Sequence, residues 1–455
     1  MKKIHMIGIG GISMSGIAEL LLSGGFQVSG SDSKESDITK RLEELGARIG
    51  YPQKADNIPE DCDTVVMTAA IHDDNPELIE AKNRGIKIYT RAEFLGLIMK
   101  DYKMPIAIAG THGKTTTTAM ISEILLAAEL DPTISIGGML RDIGGNFRVG
   151  SRDYFVMEAC EYTNSYHSFF PGVGLILNVD EDHLDFFKDL DDIVESFHKF
   201  ATNVFDDGTL VIGKDTKGYD RIIRDLNCKV VTFGFDDSAD IYPEDISYDE
   251  WGHPSFTAVY KGNKEAYSLG VSGEHNVMNA LAAIAACDSL GISCDAIRKG
   301  LSVYKGTDRR FEKKGTLKVD KGEITIVDDY AHHPTEITAT LKTAKRVPCN
   351  EIWTIFQPHT YTRTKALLDE IAEALCLSDH VIIAKIYPAR ETDNLGISGE
   401  DVASAVRKNG TDCYYFDTFE EAENFVTKTL VDNDLLITMG AGDVVNIADE
   451  LLSKR

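Results

Sequence analysis

One short segment restricts this chain more than any other. Gly110-Thr111-His112-Gly113-Lys114-Thr115-Thr116 stands between an apolar run at 106–109 and a helical pattern that continues to about residue 130. A strand that enters a glycine turn and leaves as a helix is the context a phosphate loop requires. Glycines let backbone N–H groups approach phosphate oxygens, and the helix N-terminus adds positive potential. Lys114 can reach the β- and γ-phosphates, and the Thr115 hydroxyl can ligate Mg²⁺. Two residues separate the glycines, where the Walker A loop has four, so this is a shortened variant. A glycine turn with a solvent lysine is the rival reading, and the order strand, loop, Gly-Lys-Thr, helix weighs against it.

The same alternation of strands and helices runs along all 455 residues, so an α/β fold with parallel sheets is expected. Three blocks emerge. Residues 1–103 hold strand patterns at 3–9, 27–31 and 64–69 with a helix at 13–23, as in a Rossmann-like domain. Residues 104–310 form a central P-loop domain with further strands at 154–159 and 173–179, antiparallel strands within 236–270, and an alanine-rich helix at 273–290. Residues 311–455 give a second doubly wound, Rossmann-like pattern. Its strands are expected at 324–328, 352–357, 381–386, 414–417 and 435–439, and its helices at 335–346, 364–377, 399–408 and 419–431. A length of this order suits two to four domains.

Charge and cysteine usage narrow the function. A formal charge of −26 repels a phosphate polymer over most of the surface, so no nucleic-acid partner is expected, and cations must be gathered locally wherever a nucleotide binds. Eight cysteines occur without a C-x-x-C pair, the usage of a reducing cytoplasm. No apolar run approaches the ~18 residues of a membrane span, and the N-terminal apolar run reads as a strand rather than a signal peptide. A cytoplasmic monomer or weak homodimer is expected.

Two further groups bear on chemistry. Gly8-x-Gly10-Gly11-x-Ser13 resembles a dinucleotide fingerprint with serine at the third glycine position. It suits a diphosphate at a helix N-terminus, with Asp32 facing a ribose or base, and fits NAD or a UDP-sugar equally well. Tight strand–helix packing alone would also explain it. Glu158 ends a strand where P-loop enzymes place a Mg²⁺-binding acid, and Asn178-Val-Asp-Glu-Asp-His183-Leu-Asp185 leaves the next strand. His183 on its own reads as structural, but its place past a parallel strand's carboxyl end makes it a site residue.

Taken in order, Gly110–Thr116, Glu158-Ala-Cys-Glu161, Asn178–Asp185, His275-Asn276-x-x-Asn279, Arg309-Arg310-Phe311-Glu312 and Asp328-Asp329-Tyr330-Ala331-His332 resemble the motifs of the Mur ligases over essentially the whole chain. Gly8–Gly16, Asp329–Glu336 and Phe356–Thr364 resemble the branch that takes free alanine. The resemblance implies a peptidoglycan-precursor enzyme in which ATP activates the lactyl carboxylate of UDP-N-acetylmuramate as an acyl phosphate, which the amine of L-alanine then attacks. It implies UDP-sugar binding by residues 1–103 (Gly8, Gly10, Gly11, Ser13, Asp32), ATP binding by 104–310 and amino-acid delivery by 311–455.

By motif match, Lys114, His183 and Arg310 are catalytic. Gly110, Thr111, His112, Gly113, Lys114, Thr115, Thr116, Asn276, Asn279, Arg310 and Asp329 hold ATP. Thr115, Glu158 and His183 hold Mg²⁺, with Mn²⁺ as an alternative. His332, His333, His359 and Arg363 receive alanine. The chain departs from many relatives at Thr360, where they carry a second arginine, and at Cys160, where they carry an acid. A ligase that recycles a tripeptide onto the same UDP-sugar shares most of these motifs. An NAD-dependent oxidoreductase leaves Gly110–Thr116 idle, and a nonenzymatic nucleotide scaffold leaves the ordered acids and arginine unexplained.

Overall fold

A computed structural model describes residues 2–68 and 70–453. Ala69, where the strand expected at 64–69 ends, lies outside them, as do Met1, Lys454 and Arg455. Among the described residues the strands form three sheets, and the fold is α/β and mostly parallel, as the alternating pattern requires.

The first sheet has the order Arg48–Gly50, Gln27–Ser31, Lys3–Ile7, Thr64–Met67, Lys87–Thr90, every neighbouring pair parallel. Its central strand is buried from Ile4 to Ile7, and its one polar side chain there, His5, is satisfied by Ser29 and Glu77. The second sheet has ten strands. Val173–Ile176 and Tyr154–Glu158 flank Met104–Ala109 in parallel, and Thr209–Gly213 and Lys229–Phe233 extend it on one side. Two antiparallel additions close its edges: Ile241–Tyr248, Pro254–Tyr260 and Asn263–Ser268 at one end, and the pair Thr133–Leu140 and Gly145–Arg148 at the other. The sequence pattern foretells the first addition but not the second, whose glycines 137, 138, 144 and 145 mask the alternation.

The third sheet has the order Glu312–Val319, Gly322–Asp329, Leu435–Met439, Ile352–Phe356, His380–Ala384, Asp412–Phe416. Only its first strand is antiparallel. The helix expected at 364–377 is two helices, Tyr361–Ala366 and Leu368–Leu375. Leu367 lies between them at φ −116°, ψ 28° and breaks the helix. Thr360, at φ 64°, caps the first of them by accepting the Arg363 N–H. The alanine-rich helix begins at His275, because Gly273 adopts φ 103°. Its small side chains bring it close onto the second sheet, and Ala280, Ala282, Ala283, Ala285 and Ala286 are all inaccessible.

The cores are partitioned unevenly. Met6, Leu95 and Met99 of the first block and Phe155, Tyr166 and Phe197 of the second belong to one continuous apolar cluster. The third block keeps clusters of its own on the two faces of its sheet, one around Phe356 and Ile383 and one around Ile355 and Ile382.

Candidate active site

The strand Met104–Ala109 delivers the glycine loop to the N-terminus of the helix Lys114–Ala127. Gly113 caps that helix at φ 85°, and a Cβ there would stand 2.4 Å from the Asn279 Oδ1. Only glycine meets both conditions. Asn178 grips the loop from the neighbouring strand end: its Oδ1 accepts the His112 N–H at 2.8 Å and its Nδ2 donates to the His112 carbonyl at 3.1 Å.

The Lys114 Nζ donates to the Thr111 carbonyl at 3.0 Å and to both oxygens of Glu161, at 2.9 and 3.2 Å. Burial works against its charge, but Glu161 outweighs burial and holds the ammonium pKa above its usual range. The His183 Nε2 lies 3.8 Å from the Glu161 carboxylate, and its ring packs on Tyr162 at 4.5 Å. Lys114, Glu161 and His183 are therefore one cluster. Sequence reasoning gave no role to Glu161, although its spacing of three from Glu158 was visible in the motif.

A cavity of about 570 Å³ opens beside the loop. His112, Gly113, Thr116, Asn276, Asn279 and Arg310 are among its walls, and Asp329 and Glu336 close it from the third block. Asn279 donates to the Asn276 Oδ1 at 2.9 Å, and Asn276 donates to the Ser272 carbonyl at 2.7 Å, so both amides are oriented. Burial pushes the Asp329 carboxyl up to about 6 against the pull of Arg310, and its oxygens accept the Phe311 and Ala331 N–H groups. Burial opposes charge on His112 too, but Asp180 and Glu336 outweigh it and raise its pKa to about 9.

The third block reaches the glycine loop and its neighbour 180–183 through side chains. Arg363 donates through Nε and Nη2 to the Asp182 Oδ1 at 3.2 and 2.8 Å, and through Nη1 to the His359 Nδ1 at 3.1 Å. Burial alone would raise the Asp182 pKa; Arg363 more than compensates and holds it well below the carboxylate range. The His332 and His359 rings lie 5.6 Å apart, and burial lowers their pKa values to about 4 and about 3, so both are neutral at pH 7. His333 caps the helix Pro334–Ala344, and its Nε2 donates to the Glu181 carbonyl at 3.1 Å. Of the four residues assigned to alanine, Arg363 and His333 meet the loop 180–183 directly, and Asp182, assigned no role from sequence, is the partner of Arg363.

The N-terminal glycine turn forms a separate site at the strand ends of the first sheet. Gly8 adopts φ 80°, and the Asp32 Oδ2 accepts the Gly10 N–H at 2.9 Å. Asp32 thereby closes the turn, with its other oxygen on the Ser33 N–H at 2.7 Å. The Ser13 hydroxyl accepts from Arg91 at 2.8 Å. That arginine, 78 positions away, has no sequence signal linking it to the turn.

Residues 3–103 match the Mur ligase family catalytic domain, 108–287 the Mur ligase middle domain and 309–442 the glutamate ligase domain of Mur ligases. A UDP-N-acetylmuramate–L-alanine ligase of Lachnospira eligens is 55% identical over 451 residues, covering 99% of this chain and 97% of that protein. The chain belongs to the Mur ligase family. A protein of the same name from Agathobacter rectalis is 52% identical over 99% of this chain and 98% of its own length. The crystal structure of a UDP-N-acetylmuramate–alanine ligase from Thermotoga maritima superposes with a TM-score of 0.81 at 30% identity, covering 100% of this chain and 99% of that one. A murein peptide ligase from Psychrobacter arcticus superposes at 0.72 with 26% identity, covering 100% and 98%.

In this Mur ligase the donors near the loop suit a hard divalent cation. The Glu158 Oε1 accepts the Gly137 N–H at 2.6 Å, and a Cβ on Gly137 would stand 2.8 Å from the Oε2. The next glycine, Gly138, packs against Thr115, where a Cβ would come within 3.2 Å of the threonine methyl. The two glycines therefore leave room beside Glu158 and Thr115, whose carboxylate and hydroxyl are oxygen donors of the kind Mg²⁺ selects.

Proposed function

We propose that this Mur ligase joins L-alanine to the lactyl carboxylate of UDP-N-acetylmuramate, using ATP and forming an acyl phosphate. One observation carries the reading. Consecutive residues Asp182 and His183 face opposite partners, Arg363 on the amino-acid side and Glu161 with Lys114 on the phosphate side, so the two half-reactions share one junction.

ATP binds along the 570 Å³ cavity, its base against the apolar wall of Leu177, Phe233 and Met278 and its phosphates on the loop 110–116. The carboxylate and the γ-phosphate are both anions, and their approach in a site shielded from water is repulsive. Phosphoryl transfer needs positioning and charge neutralisation above all. Lys114 supplies a fixed positive charge there, released from Glu161 as phosphate oxygens take its place, and Arg310 adds a second from the hinge. Thr115, Glu158 and His183 would hold Mg²⁺, which would further neutralise the phosphate charge.

For the second half-reaction Arg363 holds the alanine carboxylate. His332 and His359, neutral at pH 7, offer no competing positive charge to the incoming amine. The amine, having given its ammonium proton to solvent, attacks the acyl carbonyl; phosphate leaves with the C–O bond electrons, and the nitrogen releases one more proton to phosphate or solvent while keeping its last as the amide N–H. The glycine turn at 8–13 holds the UDP diphosphate, with Arg91 and Ser13 at its edge.

ADP release by the purified protein, with ATP, UDP-N-acetylmuramate and amino acids supplied one at a time, tests the reading. L-alanine is expected to give the highest kcat/KM. Faster turnover with the tripeptide L-alanyl-γ-D-glutamyl-meso-diaminopimelate would make the chain a recycling ligase. ADP release independent of the UDP-sugar would end the proposal.

A further inference from the structure

His112, Asp180 and His333 each present a metal-ligating atom, and these atoms lie within 4.8 Å of one another. The first two belong to the second block and the third to the third block. The His112 Nε2 stands 3.6 Å from the Asp180 Oδ2, and the two imidazole rings are 4.8 Å apart. That Nε2 is buried and has no partner at hydrogen-bond distance, and a bound ion would displace the proton that Asp180 and Glu336 hold on the ring at pH 7. Bonds of about 2.0 Å in tetrahedral geometry place ligand atoms roughly 3.3 Å apart, so the His112–Asp180 spacing needs little adjustment.

The surroundings are those of ligands rather than of an ordinary polar contact. A metal-binding imidazole usually gives its other N–H to a carboxylate or carbonyl, which fixes the ring and its tautomer. The His112 Nδ1 faces the Glu336 Oε1 at 3.2 Å. The His333 Nε2 donates to the Glu181 carbonyl at 3.1 Å, and its Nδ1 accepts the Thr335 N–H at 3.3 Å, a long capping bond that a bound ion would replace. Asp180 is itself oriented by the Lys217 Nζ at 2.6 Å and the Thr335 hydroxyl at 2.7 Å. Two imidazoles and one carboxylate, beside the cavity that His112 and Asp180 line, form a donor set suited to Zn²⁺ rather than Mg²⁺.

We propose that His112, Asp180 and His333 form a Zn²⁺-class site that ties the second block to the third and, when filled, holds the enzyme closed and inactive. An ion there pins the phosphate loop to the helix Pro334–Ala344 and so blocks the opening that nucleotide exchange requires. Metal binding needs only the geometry described; the inhibition rests on the ligation reading.

The full-length protein, stripped of metal with a chelator and free of nucleotide, is titrated with Co²⁺ and then Zn²⁺. One Co²⁺ per chain, with the visible absorption of a four-coordinate ion and displacement by Zn²⁺, is expected. His333→Ala and the milder His333→Gln should each weaken binding tenfold or more, whereas Glu158→Gln, among the residues assigned to Mg²⁺, should leave the spectrum in place. No spectrum at 100 µM Co²⁺, or one unchanged in both His333 variants whose circular dichroism matches the parent, overturns the site. Micromolar Zn²⁺ should also slow ADP release in the parent, reversibly with chelator, and about tenfold less effectively in His333→Gln. Binding without such inhibition overturns the lock. A protein that releases no ADP under any condition refutes the ligation reading instead, and the cobalt spectrum still decides the site.

Discussion

At the junction of the first and second blocks a shared apolar core lies beneath a few polar contacts such as Tyr102 with Thr133 and Lys103 with Asp153. Gly16 lies against the Phe147 ring, a Cβ on Gly96 would stand 2.0 Å from the Ser168 carbonyl, and both blocks feed one hydrophobic cluster. At the junction of the second and third blocks a single indole, Trp251, packs on the third block's core, and charges and hydrogen bonds join the rest: Arg363 with Asp182, His112 with Glu336, Thr335 with Asp180, Arg141 with Glu312. Apolar burial is non-directional and is lost only when the surfaces separate. Ion pairs can exchange partners, and those at this junction involve residues proposed to hold nucleotide and amino acid. One interface therefore fixes a rigid frame, and the other responds to ligands.

Removing a charge from the responsive interface should cost activity far more than structure. Lys114→Ala is expected to lower the rate of ADP release by 10³-fold or more, about 4 kcal/mol of transition-state stabilisation, with the circular dichroism spectrum retained. Normal turnover in that variant would remove the lysine from the mechanism. The rigid interface should show the opposite pattern. Gly96→Ala forces a methyl group into the Ser168 backbone and is expected to cost about 3 kcal/mol of stability, read as a fall in Tm of several degrees, while kcat measured in the cold stays near the parent value. An unchanged Tm would mean that this interface is softer than its contacts imply.

Arg363→Ala should raise the KM for alanine by 10- to 100-fold and the KM for the UDP-sugar much less, because only the first loses a carboxylate partner. Equal effects on both would assign Arg363 to the interdomain contact with Asp182 rather than to the amino acid. The smallest effect lies inside the rigid frame. Glu123 is buried in the helix Lys114–Ala127, and burial, with Asp142 beside it, raises its carboxyl to about 7. The folded state thus binds a proton that the unfolded chain releases near pH 4.5. This contribution is complete below that pH and lost as pH rises through 7, so stability should fall by about 1 kcal/mol between pH 6 and 8. Glu123→Gln should flatten that part of the Tm–pH curve, and an unaltered slope would clear Glu123 of the effect.

Much of this was legible in the chain because strand, turn and helix are local. The strands at 27–31 and 435–439 and the helix at 399–408 have the bounds their patterns suggest, since apolar alternation and capping residues act over a few positions. The phosphate loop was legible for the same reason. Partnerships across blocks were not. Glu161 and Asp182 stood in plain view among other acids, but only the fold shows that the first meets Lys114 and the second Arg363. Arg91 and Ser13 lie 78 positions apart, and no periodicity connects them. The hairpin at 133–148 carries no alternating pattern because Gly137 and Gly138 lie against Glu158 and Thr115 and Gly144 and Gly145 lie at its turn.

The continuous cluster beneath the first two sheets has an evolutionary consequence. A substitution at Met6 or Leu95 is felt by Phe155 and Tyr166 across the seam, so drift in one half constrains drift in the other. Those halves should be inherited together, with compensating changes, whereas the third, whose interior is its own, can be exchanged between lineages. Chimaeras cut near residue 304 should tolerate grafting that chimaeras cut near residue 103 do not.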